Sequence, residues 1–418
     1  MTGMQNWAGN YTYSTDRLFE PGSVEELIEI VKKEAKIKVL GTRHCFNSIA
    51  DSKDCFLSLS ALNRIGPLDT QRQTVTVEAG VRYGELAVWL NSRGYALHNL
   101  ASLPHISVAG GCLTATHGSG IRNGNLATAV RAMELVTAEG ALLTLSEEKD
   151  PDIFPGAVVN LGAIGVLTQL TLSVQPTFQV RQTVYERLGM QQLEQHFGDI
   201  MSAGYSVSLF TDWKDQTIGE VWIKSRVEEA PLPAVFFGAA AAGSDLHPIK
   251  EMPAENCTEQ RGIPGDWHER LPHFRMGFTP SSGKELQSEY FVPRERSYEA
   301  LQALAGIQEK ISPHLLISEV RSVAADGLWM SPCYQQDSTA FHFTWQPDWP
   351  AVRSLLPLVE ERMAPFGARP HWGKLFVTSP AQLGSLYGKL PDFLQLLGQM
   401  DPEGKFRNEF LDSWLFGG

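Results

Sequence analysis

The sequence has no apolar run that approaches the ~18 residues of a membrane span, although the chain is 418 residues long. It has few cysteines: Cys45, Cys55, Cys112, Cys257 and Cys333 are odd in number, scattered and never spaced C-x-x-C. That pattern gives no basis for a disulfide framework or a zinc site and fits a reducing compartment. It is also short of positive charge, with 35 lysines and arginines against 47 acidic residues, a formal balance of −12. Nucleic acid and anionic membranes are bound through excess positive charge, so neither is expected as a main partner. A neutral ligand is untouched by this argument. The opening MTGMQNWAGNYTYS has neither the basic start nor the apolar core of a signal peptide, and a cytoplasmic protein is expected. There is no Walker A sequence. No GxGxxG opens a helix with an acid ~20 residues later, which excludes a nicotinamide-dependent Rossmann dehydrogenase. Repeats and low-complexity tracts are absent too.

What is present is an ordinary globular composition, 43% hydrophobic and 20% charged, with length enough for two domains. The first third reads as α/β. Ser23 and Glu26 are spaced as a capping box, and Val24, Leu27, Ile28 and Val31 form one apolar helix face. Ile37–Leu40 and Thr74–Glu78 read as strands and Tyr83–Arg93 as a helix with Gly94 at its end. Met133–Thr137 and Ala141–Leu145 flank Ala138-Glu139-Gly140 as a hairpin, and Val166–Val174 is a long strand. From about Thr177 strand-like runs (Thr177–Val184, Ser206–Trp213, Glu220–Ser225) alternate with helical ones (Gln191–Met201, Arg296–Lys310). Residues 227–282 exceed a normal connection, so they form either a lid-like excursion or a packed irregular segment. Asp401–Phe406 reads as a turn.

Two glycine-bearing segments carry the chemistry. VLGTRHCFNS (39–48) ends a strand and hands over to Gly41, whose backbone freedom lets successive N–H groups line one concavity. SVAGGCLTATHGSG (107–120) sets Gly110, Gly111, Gly118 and Gly120 among Ser107, Thr114, Thr116 and Ser119. Each alone is most often a turn. Together, followed by LGAIGVLTQLTL at 161–172, they offer donors enough to hold a pyrophosphate from two sides.

Two later segments read as strands that each present polar pairs. In LISEVRSVAAD (316–326) Glu319 and Arg321 share a face, and in AFHFTWQ (340–346) His342 and Thr344 lie opposite Phe341, Phe343 and Trp345. An acid and an arginine two apart are most often a solvated pair. As a set, however, Glu, Arg, His and Thr supply the mixed donors and acceptors that adjacent hydroxyls need. ARPHWGKLF (368–376) adds His371 and Lys374.

GTRHCFN, ASLPHISVAGG, THGSG and LGAIGV, in this order and spacing, resemble the vanillyl-alcohol-oxidase-type FAD-binding domain. The whole, from Asn6–Gly9 to Asp401-Pro402, is more similar to the bacterial alditol (xylitol) oxidases, with a pattern shared by sugar-lactone oxidases. SEVRS, FHFTW and HWGK favour the alditol type. The resemblance implies an α+β, two-domain flavoprotein of the PCMH type. An FAD-binding domain of two small α/β subdomains (1–176) precedes a substrate domain with a large antiparallel sheet flanked by helices (177–376), and 377–418 return to the FAD domain. It implies that His44 carries FAD covalently. Cofactor contacts are implied at Val39, Leu40, Gly41, Thr42, Arg43, Cys45, Ser102, Ser107, Gly110, Thr114, Ala115, Thr116, His117, Val166 and His371. Arg43 and Cys45 depart from the smaller residue and the serine often found there; Arg43 either reaches the pyrophosphate or points to solvent. Substrate contacts are implied at Ser102, Glu319, Arg321, Thr344 and Lys374, with His342 beside them. Lys374, Arg321, His342 and Glu319 are then the catalytic set, without a metal. The implied reaction takes the terminal primary hydroxyl of an alditol such as xylitol or sorbitol to the aldose by hydride transfer to flavin N5. Dioxygen becomes hydrogen peroxide, and the enzyme acts as a monomer. A sugar-lactone or hexose dehydrogenase using another acceptor, and a non-catalytic flavin-binding protein, are the alternatives.

Overall fold

The computed structural model describes residues 3–215, 217–277 and 285–416. The capping signal at Ser23 starts the helix Val24–Lys33, where the Ser23 hydroxyl accepts from the Glu26 N–H and Leu27 and Val31 are wholly buried. Glu26 returns its carboxylate to the Gly22 N–H (2.8 Å), one residue earlier than a standard box would. This helix belongs with a small parallel sheet in the order Leu18–Phe19, Phe56–Ser58, Lys38–Leu40. A second, antiparallel sheet runs Ile65–Asp69, Thr74–Glu78, Val166–Ser173, Val130–Val136, Leu142–Ser146. Gly140 turns the last hairpin with φ 79°.

The third layer is a large sheet in which every pairing among the described residues is antiparallel. Its central order is Gln179–Gly189, Thr217–Arg226, Ser206–Thr211, Leu315–Val323, Ser338–Trp345, Leu286–Pro293, Arg369–Pro370. Ser206–Thr211 and Ser338–Trp345 are buried at every position, so both faces of the sheet are covered. Polar side chains there must find partners inside the protein. The expected helix 296–310 is two pieces, Ser297–Ala305 and Gln308–Ile311, because Gly306 ends the first. The excursion after Arg226 is packed rather than lid-like across its described part: Trp267, Gln260, Cys257 and Thr258 are all buried. Residues 278–282 of that expectation lie outside the described residues.

The C-terminal residues lie against the first sheet. Asn408 donates to the carbonyls of Ser48, Ile49 and Asp51. Buried Lys38 ties the Gly162 carbonyl to that of Phe406 (both 3.1 Å). All five cysteines are free, and no helix of the described residues is long and apolar enough to cross a membrane.

One buried acid gives a stability prediction. Glu220 accepts from Trp222 Nε1 at 2.7 Å, and burial pushes its carboxyl from 4.5 up to about 7. A carboxyl raised on folding contributes fully below pH 4.5, and the contribution is lost as pH rises through 7. Glu220→Gln, which removes the charge, should therefore raise unfolding free energy at pH 8 by up to about 3 kcal/mol. Urea denaturation at pH 4 should show no such gain, and an equal gain at both pH values would refute the assignment.

Candidate active site

The two glycine-bearing segments meet. The Ser107 N–H donates to Thr42 Oγ1 (3.3 Å), and a Cβ on Gly41 would come within 3.0 Å of Ser107 Oγ. Gly41 thus allows close approach, and its own φ is not left-handed, contrary to the backbone freedom expected of it. Besides Gly120 (φ 137°), the positive-φ residues are Arg43 (φ 61°) in the first segment and Ala115 (φ 54°) in the second. Non-glycine residues held there cost about 1–3 kcal/mol each and cluster at functional sites. Gly118 has a similar packing role, since a Cβ would lie 2.3 Å from the Leu100 carbonyl oxygen.

The first loop is clamped from the N-terminal segment. Trp7 N–H donates to the Arg43 carbonyl (2.8 Å) and Asn6 Nδ2 to that of Cys45 (2.9 Å). In a trans peptide the carbonyl and the following N–H point opposite ways, so anchoring Arg43 O turns the His44 N–H away from Trp7. The N–H groups of Thr42, Arg43, His44 and Cys45 have no partner among the described residues, nor do those of His117, Gly118 and Ser119. The latter three are buried, where an unmet amide costs about 1–3 kcal/mol. A run of unmet donors on two converging loops fits the phosphates of a dinucleotide.

His44 stacks on Trp7 (centroids 5.2 Å, interplanar 20°), and its Nδ1 lies 3.0 Å from Thr42 Oγ1. Burial brings its imidazole down to about 4, so it is neutral at physiological pH. The Arg43 guanidinium is exposed and reaches the Gln5 carbonyl (3.4 Å). Thr114 Oγ1 donates to Gly110 O (2.9 Å) and lies 3.3 Å from Thr116 Oγ1. Val39, Leu40 and Cys45 belong to the same strand and loop, and Cys45 Sγ would meet a Cβ on Gly373 at 3.1 Å. Val166 is buried at the start of its strand, paired with Val136.

The polar strands lie on the large sheet in register. Glu319, His342 and Glu289 are direct partners across three adjacent strands and form one buried rung. Arg321 and Thr344 occupy the flanking positions two residues along, on the same face. Glu289 was not singled out from sequence, yet it joins the cluster. Its carboxylate takes Arg321 at 2.8 Å and Lys374 Nζ at 2.7 Å, and lies 3.3 Å from His117 Nε2. Burial opposes its ionisation, but Lys374, His117 and Arg321 together hold it well below the usual carboxylate range. Glu319 is also depressed: burial opposes this and is overcome by Arg321 and His273. Lys374 is lowered by burial and by the nearby Arg321 cation, against the pull of Glu289.

Lys374 Nζ also lies 2.8 Å from His342 Nδ1, and His342 Nε2 lies 3.0 Å from Thr344 Oγ1. An ammonium has no lone pair, so Nδ1 accepts and the ring proton sits on Nε2. Burial, then Lys374, keeps His342 neutral. Arg321 donates to Ser102 Oγ (3.2 Å). His371 Nδ1 accepts from the Gly373 N–H (3.1 Å), and burial holds its ring neutral near His117 (centroids 6.2 Å).

Hydrogen bonds from Phe46, Asn47 and Gly120 join the loops to this sheet face. Phe46 N–H donates to the Gly373 carbonyl (2.8 Å), and Asn47 Nδ2 donates to those of Trp372 (2.8 Å) and Lys374 (2.7 Å). Gly120 N–H donates to Ser322 O at 2.8 Å beside a bridge to Val323. Ser102, His117 and His371 lie where the two parts meet.

Known proteins agree with this geometry. Residues 15–146 match the family model described as FAD binding domain, and residues 279–414 match that described as D-arabinono-1,4-lactone oxidase. The chain is 47% identical over 419 residues to alditol oxidase of Streptomyces sp., covering 100% of both. It is 28% identical to L-gulonolactone oxidase of Bos taurus, over 99% of this chain and 98% of that one. Cholesterol oxidase from B. sterolicum shares the fold with TM-score 0.78 at 16% identity, over 99% of this chain and 96% of the other. The chain therefore belongs to the alditol oxidase family of FAD-binding flavoproteins, of the vanillyl-alcohol-oxidase type.

Proposed function

We propose that this protein oxidises the terminal primary hydroxyl of a small alditol, of the xylitol or sorbitol type, to the aldose. One observation carries it: a face where buried Glu319, Arg321 and Thr344 and half-buried Ser102 and Lys374 alternate donors and acceptors beside loops rich in unmet N–H groups. Such a face suits adjacent uncharged hydroxyls, and the name of the Streptomyces relative supports the substrate class. FAD would be held by residues 39–45, Ser102, Ser107, Gly110, Thr114–His117, Val166 and His371. When bound, it supplies the acceptor for the substrate's hydride and passes the electrons to dioxygen, which becomes hydrogen peroxide.

In this reading Glu319, Thr344 and Ser102 orient the hydroxyls, and Arg321 and Lys374 stabilise negative charge on the reacting oxygen. Lys374 Nζ stands between that oxygen and His342 Nδ1. As the hydroxyl proton leaves for Nζ, Nζ passes one to Nδ1. The imidazolium formed is flanked in its rung by the carboxylates Glu289 and Glu319. Residues 1–176 would form the FAD-binding domain and 177–376 the substrate domain, with 377–418 returning to the first. The enzyme would be a cytoplasmic monomer. Stoichiometric peroxide with xylitol supports the proposal. Turnover of a sugar lactone with an artificial acceptor, without peroxide from xylitol, would move it to the lactone dehydrogenases.

Covalent attachment through His44 belongs to the same proposal, supported by its neutral ring in the loop of unmet donors. Acid precipitation of the wild type should leave the yellow colour in the pellet, and His44→Ala should release it to the supernatant. Colour released from both proteins would rule out the linkage.

A further inference from the structure

Behind Glu319 lies a buried chain of polar groups that the reaction as described does not use. The excursion after Arg226 passes the back of the site at Leu271–Phe274, where Phe274 N–H donates to the Ser102 carbonyl (3.3 Å). Lys224, 1% exposed, sends its ammonium to the carbonyls of Leu271 and Pro272 and to His273 Nδ1 (3.1 Å). Burial brings Lys224 down to about 7; below that value its ammonium matches three donors to three acceptors, so Nδ1 is the unprotonated nitrogen and Nε2 carries the proton. Burial, then the Lys224 cation, brings His273 down to about 4. That single proton goes to Glu319 Oε1 at 2.7 Å. Phe210 and Trp222 stand edge-on to the imidazole (5.5 and 5.2 Å), which prevents the ring from turning. Glu319 Oε1 also faces Arg321 Nε at 3.6 Å, while Oε2 makes no hydrogen bond among the described residues.

We propose that Lys224 and His273 are positioning residues. Lys224 fixes the tautomer of His273, and His273 fixes Glu319 so that Oε2 accepts from one internal hydroxyl of the polyol, away from the reacting carbon. This rests on the reading that Glu319 contacts substrate. The irregular excursion thereby acquires a role, because it carries the group that sets which hydroxyl pattern the site accepts. A hydrogen bond to a charged acceptor, made or lost, changes binding by about 10–100-fold.

The test compares holoenzymes on xylitol and on its deoxy analogues, each lacking one internal hydroxyl. Wild type should reject one analogue by about 10–100-fold in kcat/KM. His273→Leu should lower kcat/KM for xylitol by a similar factor, mainly through KM, and abolish discrimination at that hydroxyl alone. His273→Gln, which keeps a donor near Oε1, should restore part of it. An equal fall for xylitol and every analogue, or unchanged discrimination in His273→Leu, overturns the proposal. Nitrogen NMR of histidine-labelled protein supplies a second readout without substrate. At pH 6, where Lys224 is an ammonium, His273 should hold its proton on Nε2 in the wild type and lose that fixed tautomer in Lys224→Met. An unchanged tautomer in the variant also overturns it. Were wild type to oxidise no polyol, the functional reading would fail while the tautomer result stood.

Discussion

Lys374→Met should lower the limiting rate of flavin reduction by xylitol about 10³-fold, with the visible spectrum of bound FAD unchanged. The size follows from two roles lost together, since Nζ lies 2.7 Å from Glu289 and 2.8 Å from His342 Nδ1. Without it the reacting oxygen loses a cation and His342 loses its link to the hydroxyl proton. The fold should survive, because Glu289 keeps Arg321 at 2.8 Å and methionine fills most of the lysine's volume. Lys374 approaches the loops through backbone bonds, to Asn47 at its carbonyl and to His371 O from its N–H, which methionine retains. Stopped-flow reduction at the wild-type rate would remove Lys374 from the chemistry.

Glu289→Gln should be the most destabilising substitution in the site, by about 3–5 kcal/mol in chemical denaturation. Glu289 has no exposed side-chain surface and carries the counter-charge for buried Arg321 and for Lys374, whose side chain is 13% exposed. Removing the carboxylate leaves two cations facing each other in a low-dielectric site. The double variant Glu289→Gln/Lys374→Met takes out one cation with its partner, so it should recover part of the loss. Strict additivity of the two single effects would show that Glu289 does not balance Lys374.

Much of this site was legible in sequence because its residues sit in short, locally ordered segments. Glu319 with Arg321 and His342 with Thr344 follow from strand alternation, and the loops at 39–48 and 107–120 from their glycines and hydroxyls. Glu289 was missed for a physical reason. In LQSEYFVP it reads as the last of three consecutive polar residues in a strand, and only non-local pairing puts it opposite His342. An acid set directly before the aromatic and apolar Tyr290, Phe291 and Val292 was the available signal. Lys224 and His273 lie 95 and 46 residues before Glu319 and join it only through tertiary packing. The loop turns were legible as loops, but beside Gly120 their positive-φ residues include Arg43 and Ala115, against the usual preference for glycine. Residues 227–277 gave no periodicity because their order comes from buried side chains such as Trp267 and Gln260 rather than from a repeating ladder.

The account depends on two clamped loops presenting a dinucleotide to the charged face of the large sheet. Anaerobic mixing of the purified protein with xylitol, followed in visible absorbance, tests it most directly. The yellow colour should bleach in a single turnover and return when air is admitted, with peroxide formed in proportion. A colourless protein that takes up no FAD on reconstitution, or a yellow one that no polyol bleaches, would contradict it.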